Sequence, residues 1–211
     1  MDGNQRWSKK NKKKIEEGYL AGFDNLEKIV NYCLKINIKY ITVFALSSEN
    51  LQRNSSYLIF KVIRNIYKKL LKDLNNKKIN INILGEKKNL PEDILKIFKK
   101  IKYFDNQKLQ LNIAFNYGTQ YEVKNIIESF IKDNLQKIDI EMIRKKMYLG
   151  KIPDPEILIR TGGFQRLSNF ILLNLSYSDL FFTKTLWPEF SIDELESIFI
   201  EYKKIKKNYG L

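Results

Sequence analysis

Leu26-Glu-Lys-Ile-Val-Asn-Tyr-Cys-Leu34 runs through residues 35–39 into Tyr40-Ile-Thr-Val-Phe-Ala-Leu46. Leu26, Ile29, Val30 and Leu34 recur at the spacing of one helical face, whereas the second segment is β-branched and aromatic enough for a buried strand. This helix-then-strand unit repeats along the chain. Leu58, Val62, Ile63, Ile66 and Leu70 mark a helix over 57–74, and Ile79-Asn-Ile-Asn-Ile-Leu84 alternates with period two until Gly85. Pro91-Glu-Asp93 has the chemistry of a helix start with proline at N1, and Ile94, Ile97, Phe98 and Ile101 mark the face behind it. Leu109-Gln-Leu-Asn-Ile-Ala-Phe115 is a further alternating strand, closed by Asn116-Tyr-Gly118 and followed by a helix through Val123, Ile126, Ile127 and Phe130. A short helix near 140–148 and the reset at Pro153-Asp-Pro155 precede a strand over 156–160. A helix from about Ser168, a short strand at Leu180-Phe-Phe182 and a helix through Leu195, Ile198, Phe199 and Tyr202 finish the chain. The alternation predicts one α/β domain over 1–211 with a mostly parallel sheet, whose ligands bind beyond the carboxyl ends of the strands.

Composition narrows the chemistry. The chain has no histidine, which removes the commonest general base, the usual catalytic triads and every His-containing metal site. The lone Cys33 excludes an internal disulfide, and its place in a helical pattern reads as core filler. No apolar run reaches the ~18–20 residues of a membrane span, and the N-terminus lacks a secretory pattern, so a cytoplasmic protein is expected. The net charge of +14, from 38 Lys and Arg against 24 Asp and Glu, favours acidic partners. Lysine with abundant Ile and Asn is also what an A/T-rich coding sequence produces, so charge alone does not choose among them. The run Lys9-Lys10-Asn11-Lys12-Lys13-Lys14 contains no aromatic residue to stack on a base, which argues against nucleic acid as a partner.

Arg160-Thr-Gly-Gly-Phe-Gln-Arg-Leu-Ser168 follows the strand at Ile157-Leu-Ile159. Paired guanidiniums, a bare Gly-Gly turn and a hydroxyl at a strand end suit capture of a phosphate or diphosphate, helped by the N-H groups of a following helix. A solvated basic loop is the plainer alternative. Two other polar segments are expected on the same face of a parallel sheet: Asp2-Gly-Asn-Gln-Arg-Trp7, and Ser47-Ser-Glu-Asn50 with Arg53. Asp2 has the chemistry to hold Mg²⁺ together with substrate phosphates, while the N-H groups of Gly3, Asn4 and Gln5 and the Arg6 side chain can surround a diphosphate. Singly, Asp-Gly-Asn is a common turn and Ser-Ser-Glu-Asn a common cap.

Taken together and in this order, these segments resemble the cis-prenyltransferases, specifically undecaprenyl diphosphate synthase and related isoprenyl transferases. The resemblance runs over essentially the whole chain. It includes Met1-Asp-Gly-Asn with Arg6-Trp7, Ala21-Gly22, Ser47-Ser-Glu-Asn50 with Arg53, Leu111-Asn-Ile-Ala with Asn116-Tyr-Gly118, Ile159-Arg-Thr-Gly-Gly163, Arg166 with Ser168-Asn-Phe170, and Leu186-Trp-Pro188. It implies a Mg²⁺-dependent homodimeric transferase that adds isopentenyl diphosphate in cis to an allylic diphosphate such as farnesyl diphosphate, giving a polyprenyl diphosphate carrier-lipid precursor. Peripheral membrane contact would serve product release. Asp2 would be the metal-linked aspartate, Gly3 to Arg6 and Trp7 would meet the allylic diphosphate, and Asn50 would orient the incoming unit. Ser47, Ser48, Glu49 and Arg53 would flank it, and Arg160, Arg166, Leu167 and Ser168 would hold isopentenyl diphosphate. Asp179 stands where the family usually has Glu and where a dimer partner helps complete the metal site. Leu58, Ile59, Val62, Ile63 and Ile66 either line a channel for the growing chain or simply pack the core.

The chain departs from that pattern around the substrates. Ile15 and Tyr19 stand where the family usually has Arg and His, Leu51 where it has Trp, and Phe164 where it has Glu after Gly-Gly. These losses motivate the alternative of a catalytically weakened homologue acting as partner subunit of another prenyltransferase. The resemblance also implies a buried strand running into Met1-Asp-Gly-Asn, and the expectation is a start assigned too far downstream.

Overall fold

The computed structural model describes residues 1–51 and 56–206. Its elements follow the sequence pattern closely. Helix α1 (Asn4–Lys10) and helix α2 (Ile15–Lys35) precede strand β1 (Tyr40–Ser47), the short α3 (Ser48–Leu51) and α4 (Ser56–Asn76). Strand β2 (Ile79–Leu84), α5 (Glu92–Phe98), β3 (Leu109–Tyr117), α6 (Thr119–Lys132) and α7 (Ile140–Lys146) come next. Strand β4 (Ile157–Arg160), β5 (Asp179–Phe182) and α8 (Ile192–Tyr202) complete the order, with 3₁₀ turns at Leu172–Asn174 and Trp187–Glu189.

Every strand pairing among the described residues is parallel, but the strands fall into two sheets, β1-β3-β2 and β4-β5. In the first sheet Val43, Leu109, Leu111 and Ile79 pack against Leu26, Ile29, Val30 and Cys33 of α2 and Leu74 of α4. The second sheet adds Ile157, Ile159 and Phe181 to the same core. Burial raises the Cys33 thiol to about 11, so it is an inert core group. The opposite face carries the alternate residues. Ala114, Leu84 and Tyr117 meet Leu158, Ile171 and Leu175 there, while Asn112 donates to Thr42 (3.2 Å) and accepts from Asn82 (3.3 Å) and Gln110 (2.8 Å). That amide row explains the Ile-Asn alternation of β2, since a buried polar side chain is tolerated when its partners are supplied.

Two expectations shift. Pro91 sits at the N-cap of α5 rather than at N1, and the helix ends at Phe98, leaving Ile101 beyond it. More consequentially, no α-helix begins at Ser168. Ser168 (φ 49°), Asn169 (φ 63°) and Ile171 (φ 37°) are all left-handed, a conformation that L-residues adopt singly and that cannot propagate a right-handed helix. Leu167, Phe170 and Ile171 are drawn into the core instead.

The C-terminal segment is tied back to α2 by Asn25, whose buried amide donates to the carbonyls of Trp187 (2.7 Å) and Phe190 (3.0 Å). Asn25→Leu leaves two buried carbonyls without these donors and is expected to cost about 2–4 kcal/mol of unfolding free energy. Urea denaturation checks this as a lower midpoint at unchanged slope.

Candidate active site

Asp2 is held by backbone and buried side-chain bonds from two remote segments. Its N-H donates to Thr161 Oγ1 (3.0 Å), the Thr161 hydroxyl donates to its carbonyl (3.1 Å), and the Trp187 N-H donates to the same carbonyl (2.9 Å). Thr161 directly follows β4 and is 2% exposed, so the aspartate is fixed to the carboxyl end of that strand. Its side chain then bridges two arginines, Oδ1 to Arg6 Nη2 and Oδ2 to Arg160 Nη2, each at 3.2 Å.

Glycine permits this closeness at two points. Gly3 caps α1 at φ 113°, and a Cβ there would stand 2.9 Å from the Leu186 side chain. Gly162 has φ 91°, and its Cβ would fall 2.5 Å from Arg6 Nη2. With no side chain in the way, the Gly162 carbonyl accepts from Arg6 Nη1 at 2.7 Å.

Arg160 emerges from the last position of β4, with its side chain only 14% exposed. Its Nη1 donates to Ser168 Oγ (2.8 Å) and to the Arg166 carbonyl. Its buried Nε has no partner among the described residues. Arg166 turns back toward the same point: its guanidinium lies 4.3 Å from the centroid of the Phe164 ring, with Arg6 at 4.9 Å and Arg160 at 5.8 Å. The Arg160 and Arg166 guanidiniums thus both lie against the Phe164 ring. The expected helix N-terminus is absent, because the left-handed residues after Leu167 replace it; the donors here are guanidiniums and a hydroxyl.

The third segment joins through Asn169. Its amide donates to Glu49 (3.0 Å), its side-chain oxygen accepts from Gln120 N-H (3.1 Å), and its carbonyl accepts from Thr119 N-H (2.9 Å). Ser47 Oγ accepts from the Asn50 N-H at 3.1 Å, which fixes the α3 turn at the end of β1. Burial acts to raise the Glu49 pKa, but its own backbone N-H and donors from Asn169, Ser47 and Ser48 outweigh it and hold the carboxyl below its usual range. Glu49 is therefore an engaged carboxylate rather than a poised acid. Arg53 lies outside the described residues.

Other sequence-derived residues take distinct places. The Asn4 side-chain oxygen is buried and lies beside Gly22, Gln5 donates to the Tyr19 hydroxyl (2.8 Å), and Trp7 lies under Lys13 at 5.4 Å. Leu167 packs on the core. Asp179 starts β5 opposite Ile157, whereas Arg160 is opposite Phe182, so within one chain it is about 10 Å along the strands from the Arg160 end. The α-amino group of Met1 is buried, which lowers its pKa to about 6 against the opposing pull of Asp2, with Arg160 adding to the lowering.

An apolar cavity of about 100 Å³ opens beside Met1 and Asn4. Met1, Asn4, Tyr19 and Trp187 lie on its wall with Ile59, Ile63, Ile66 and Leu70 of α4, Ile83 of β2 and Phe115 of β3. The α4 residues thus divide by helical register: Ile59, Ile63 and Ile66 line the cavity, while Val62 is fully buried core. Thr161, Asn169 and the Leu186-Trp187 pair carry structural duties that their residue types alone did not assign; their place in the motifs that carry the family resemblance was the available signal.

The family described as "Putative undecaprenyl diphosphate synthase" matches residues 1–210. The chain belongs to that family. An isoprenyl transferase of Fusobacterium nucleatum subsp. nucleatum is 36% identical over all of this chain and 93% of its own length. A tritrans,polycis-undecaprenyl-diphosphate synthase (geranylgeranyl-diphosphate specific) of Thermococcus kodakarensis is 34% identical, covering 100% and 84%. The fold is that of lavandulyl diphosphate synthase from Lavandula x intermedia, solved with dimethylallyl diphosphate, at a TM-score of 0.86 and 23% identity over 100% of this chain and 95% of that one. As a member of the undecaprenyl diphosphate synthase family, the protein is a prenyltransferase, and Met1 and Asn4, on either side of the Asp2-Gly3 pair in sequence, lie on the wall of its apolar cavity.

Thr161→Val keeps side-chain volume but removes both hydroxyl bonds to Asp2. Activity, read as kcat/KM, is expected to fall at least about tenfold while stability drops only about 1–2 kcal/mol; equal kcat/KM in the variant would show that Asp2 needs no such anchor.

Proposed function

We propose that this protein condenses isopentenyl diphosphate in cis onto an allylic diphosphate, such as farnesyl diphosphate, to build a polyprenyl diphosphate for use as a carrier-lipid precursor. The observation that carries the reading is the cluster of three guanidiniums and one anchored carboxylate beside an apolar cavity. Charge at the mouth suits diphosphates, and the wall behind it suits a hydrocarbon tail. At about 100 Å³ the cavity is smaller than the ~300–1,000 Å³ of typical ligand sites, so its Ile and Leu side chains must yield as the product lengthens.

Arg160, Arg166 and Ser168 hold the isopentenyl diphosphate, and Arg6 with the opening of α1, Gly3 to Gln5, holds the allylic diphosphate. The allylic carbon–oxygen bond breaks, the homoallylic double bond attacks the resulting cationic carbon, and a proton leaves the adjacent carbon, with a diphosphate oxygen as its acceptor. Asn50 orients the incoming unit at the end of β1, flanked by Ser47, Ser48 and Glu49. An amide is no base, so its contribution is orientation. The donors aimed at the departing diphosphate lower the barrier because negative charge grows there.

A magnesium ion fits this donor set in one way. Among the described residues no three acidic, cysteine or histidine side chains gather for a metal, but Mg²⁺ is commonly held by one carboxylate, substrate phosphates and water. Asp2 would supply that carboxylate, and the ion would neutralise charge on the leaving group. Asp179 reaches such a site only from a second copy. A homodimer through β5 is supported by the exposed Leu180 and Phe182 of that strand. No described helix is long and apolar enough to cross a membrane, and peripheral contact during product release suits a lipid product.

The test is elongation with labelled isopentenyl diphosphate, farnesyl diphosphate and Mg²⁺. Wild type is expected to make cis-extended products, with Asp2→Ala and Arg160→Ala reduced at least about 100-fold. EDTA is expected to stop turnover and added Mg²⁺ to restore it. A silent wild type at saturating substrate favours the partner-subunit alternative.

A further inference from the structure

Three guanidiniums surround one phenyl ring with a single carboxylate among them. Asp2 is engaged on both oxygens, by Arg6 and by Arg160, and Arg166 has no ion pair among the described residues. Cations gathered this closely repel and, on flexible side chains, would spread into solvent. Phe164 opposes that dispersal, since the negative face of an aromatic ring attracts each guanidinium without accepting its N-H donors. A carboxylate in the same place would neutralise the cluster and occupy those donors.

We propose that Phe164 is a positioning residue that keeps Arg6, Arg160 and Arg166 gathered, so that this site captures a diphosphate on arginine charge without a divalent cation. The inference rests on the reading of this cluster as the diphosphate site. It separates two steps: capture runs on guanidiniums, and the ion is required only for turnover. The Gly162-Gly163 turn (φ 91° and 83°) carries Phe164 directly from the strand end into the arginines, and the ring remains 40% exposed, within reach of an incoming anion.

Isothermal titration of inorganic pyrophosphate into the full chain tests this, in EDTA and in Mg²⁺, with a melting curve for every variant. Wild type and Phe164→Tyr are expected to bind in EDTA. Phe164→Leu, which keeps bulk and loses the ring, is expected to bind about five- to tenfold more weakly, and Phe164→Glu to bind only when Mg²⁺ is present. Equal affinity of Phe164→Leu and wild type, or equal weakening of the Leu and Tyr variants, overturns the role of the ring. A wild type that binds only with Mg²⁺ overturns metal-free capture. No binding by wild type in either buffer sinks the diphosphate reading itself.

Discussion

One carboxylate shared between two arginines organises the candidate site. Exposed ion pairs of this kind are individually weak, at about 0–1 kcal/mol, and the side chain of Asp2 is 39% exposed, so its bridge to Arg6 and Arg160 cannot fix its own geometry. The buried bonds beneath it do that. Thr161 is attached to the end of β4 and Trp187 to the segment that Asn25 ties to α2, so the aspartate is placed by the core. The chemistry at the surface inherits its precision from packing below.

The same arrangement explains why charge and hydrocarbon meet here. Asn4 and Trp187 both lie on the wall of the apolar cavity, while Arg6 and Asp2 lie in the segments that adjoin them. A substrate with a charged head and an apolar tail satisfies both surfaces; a free phosphate or a plain hydrocarbon satisfies one. The overall charge of +14 adds attraction at a distance, but it does not select the ligand.

The strands and long helices were legible because periodicity reports burial directly: Ile79 to Leu84 alternates because Asn80 pairs with the Phe104 backbone and Asn82 with Asn112, and α2 shows one apolar face. The segment after Leu167 was not. Its apolar residues read as helical, yet Ser168, Asn169 and Ile171 are left-handed, and such a conformation is imposed by tertiary contacts that no local pattern records. At the site, the guanidiniums and Asp2 were visible from residue type and order. Phe164 was visible only as a departure, since its value lies in three arginines that reach it from different points of the chain. Asp179, expected to complete the metal site from a dimer partner, lies at the far end of its strand from Arg160.

The account's central claim is that Arg6, Arg160 and Arg166 together hold the diphosphates of the two substrates. The chain has six arginines, and Arg64 and Arg144 are committed to Asp93 and Asp154, which makes them internal references. The direct measurement is the ¹H–¹⁵N spectrum of arginine side-chain Nε-H groups, assigned by substitution and titrated in EDTA with farnesyl diphosphate and isopentenyl diphosphate together. The account predicts that the signals of Arg6, Arg160 and Arg166 all move to saturation while those of Arg64 and Arg144 stay in place. Saturable binding that leaves these three signals unmoved would contradict it.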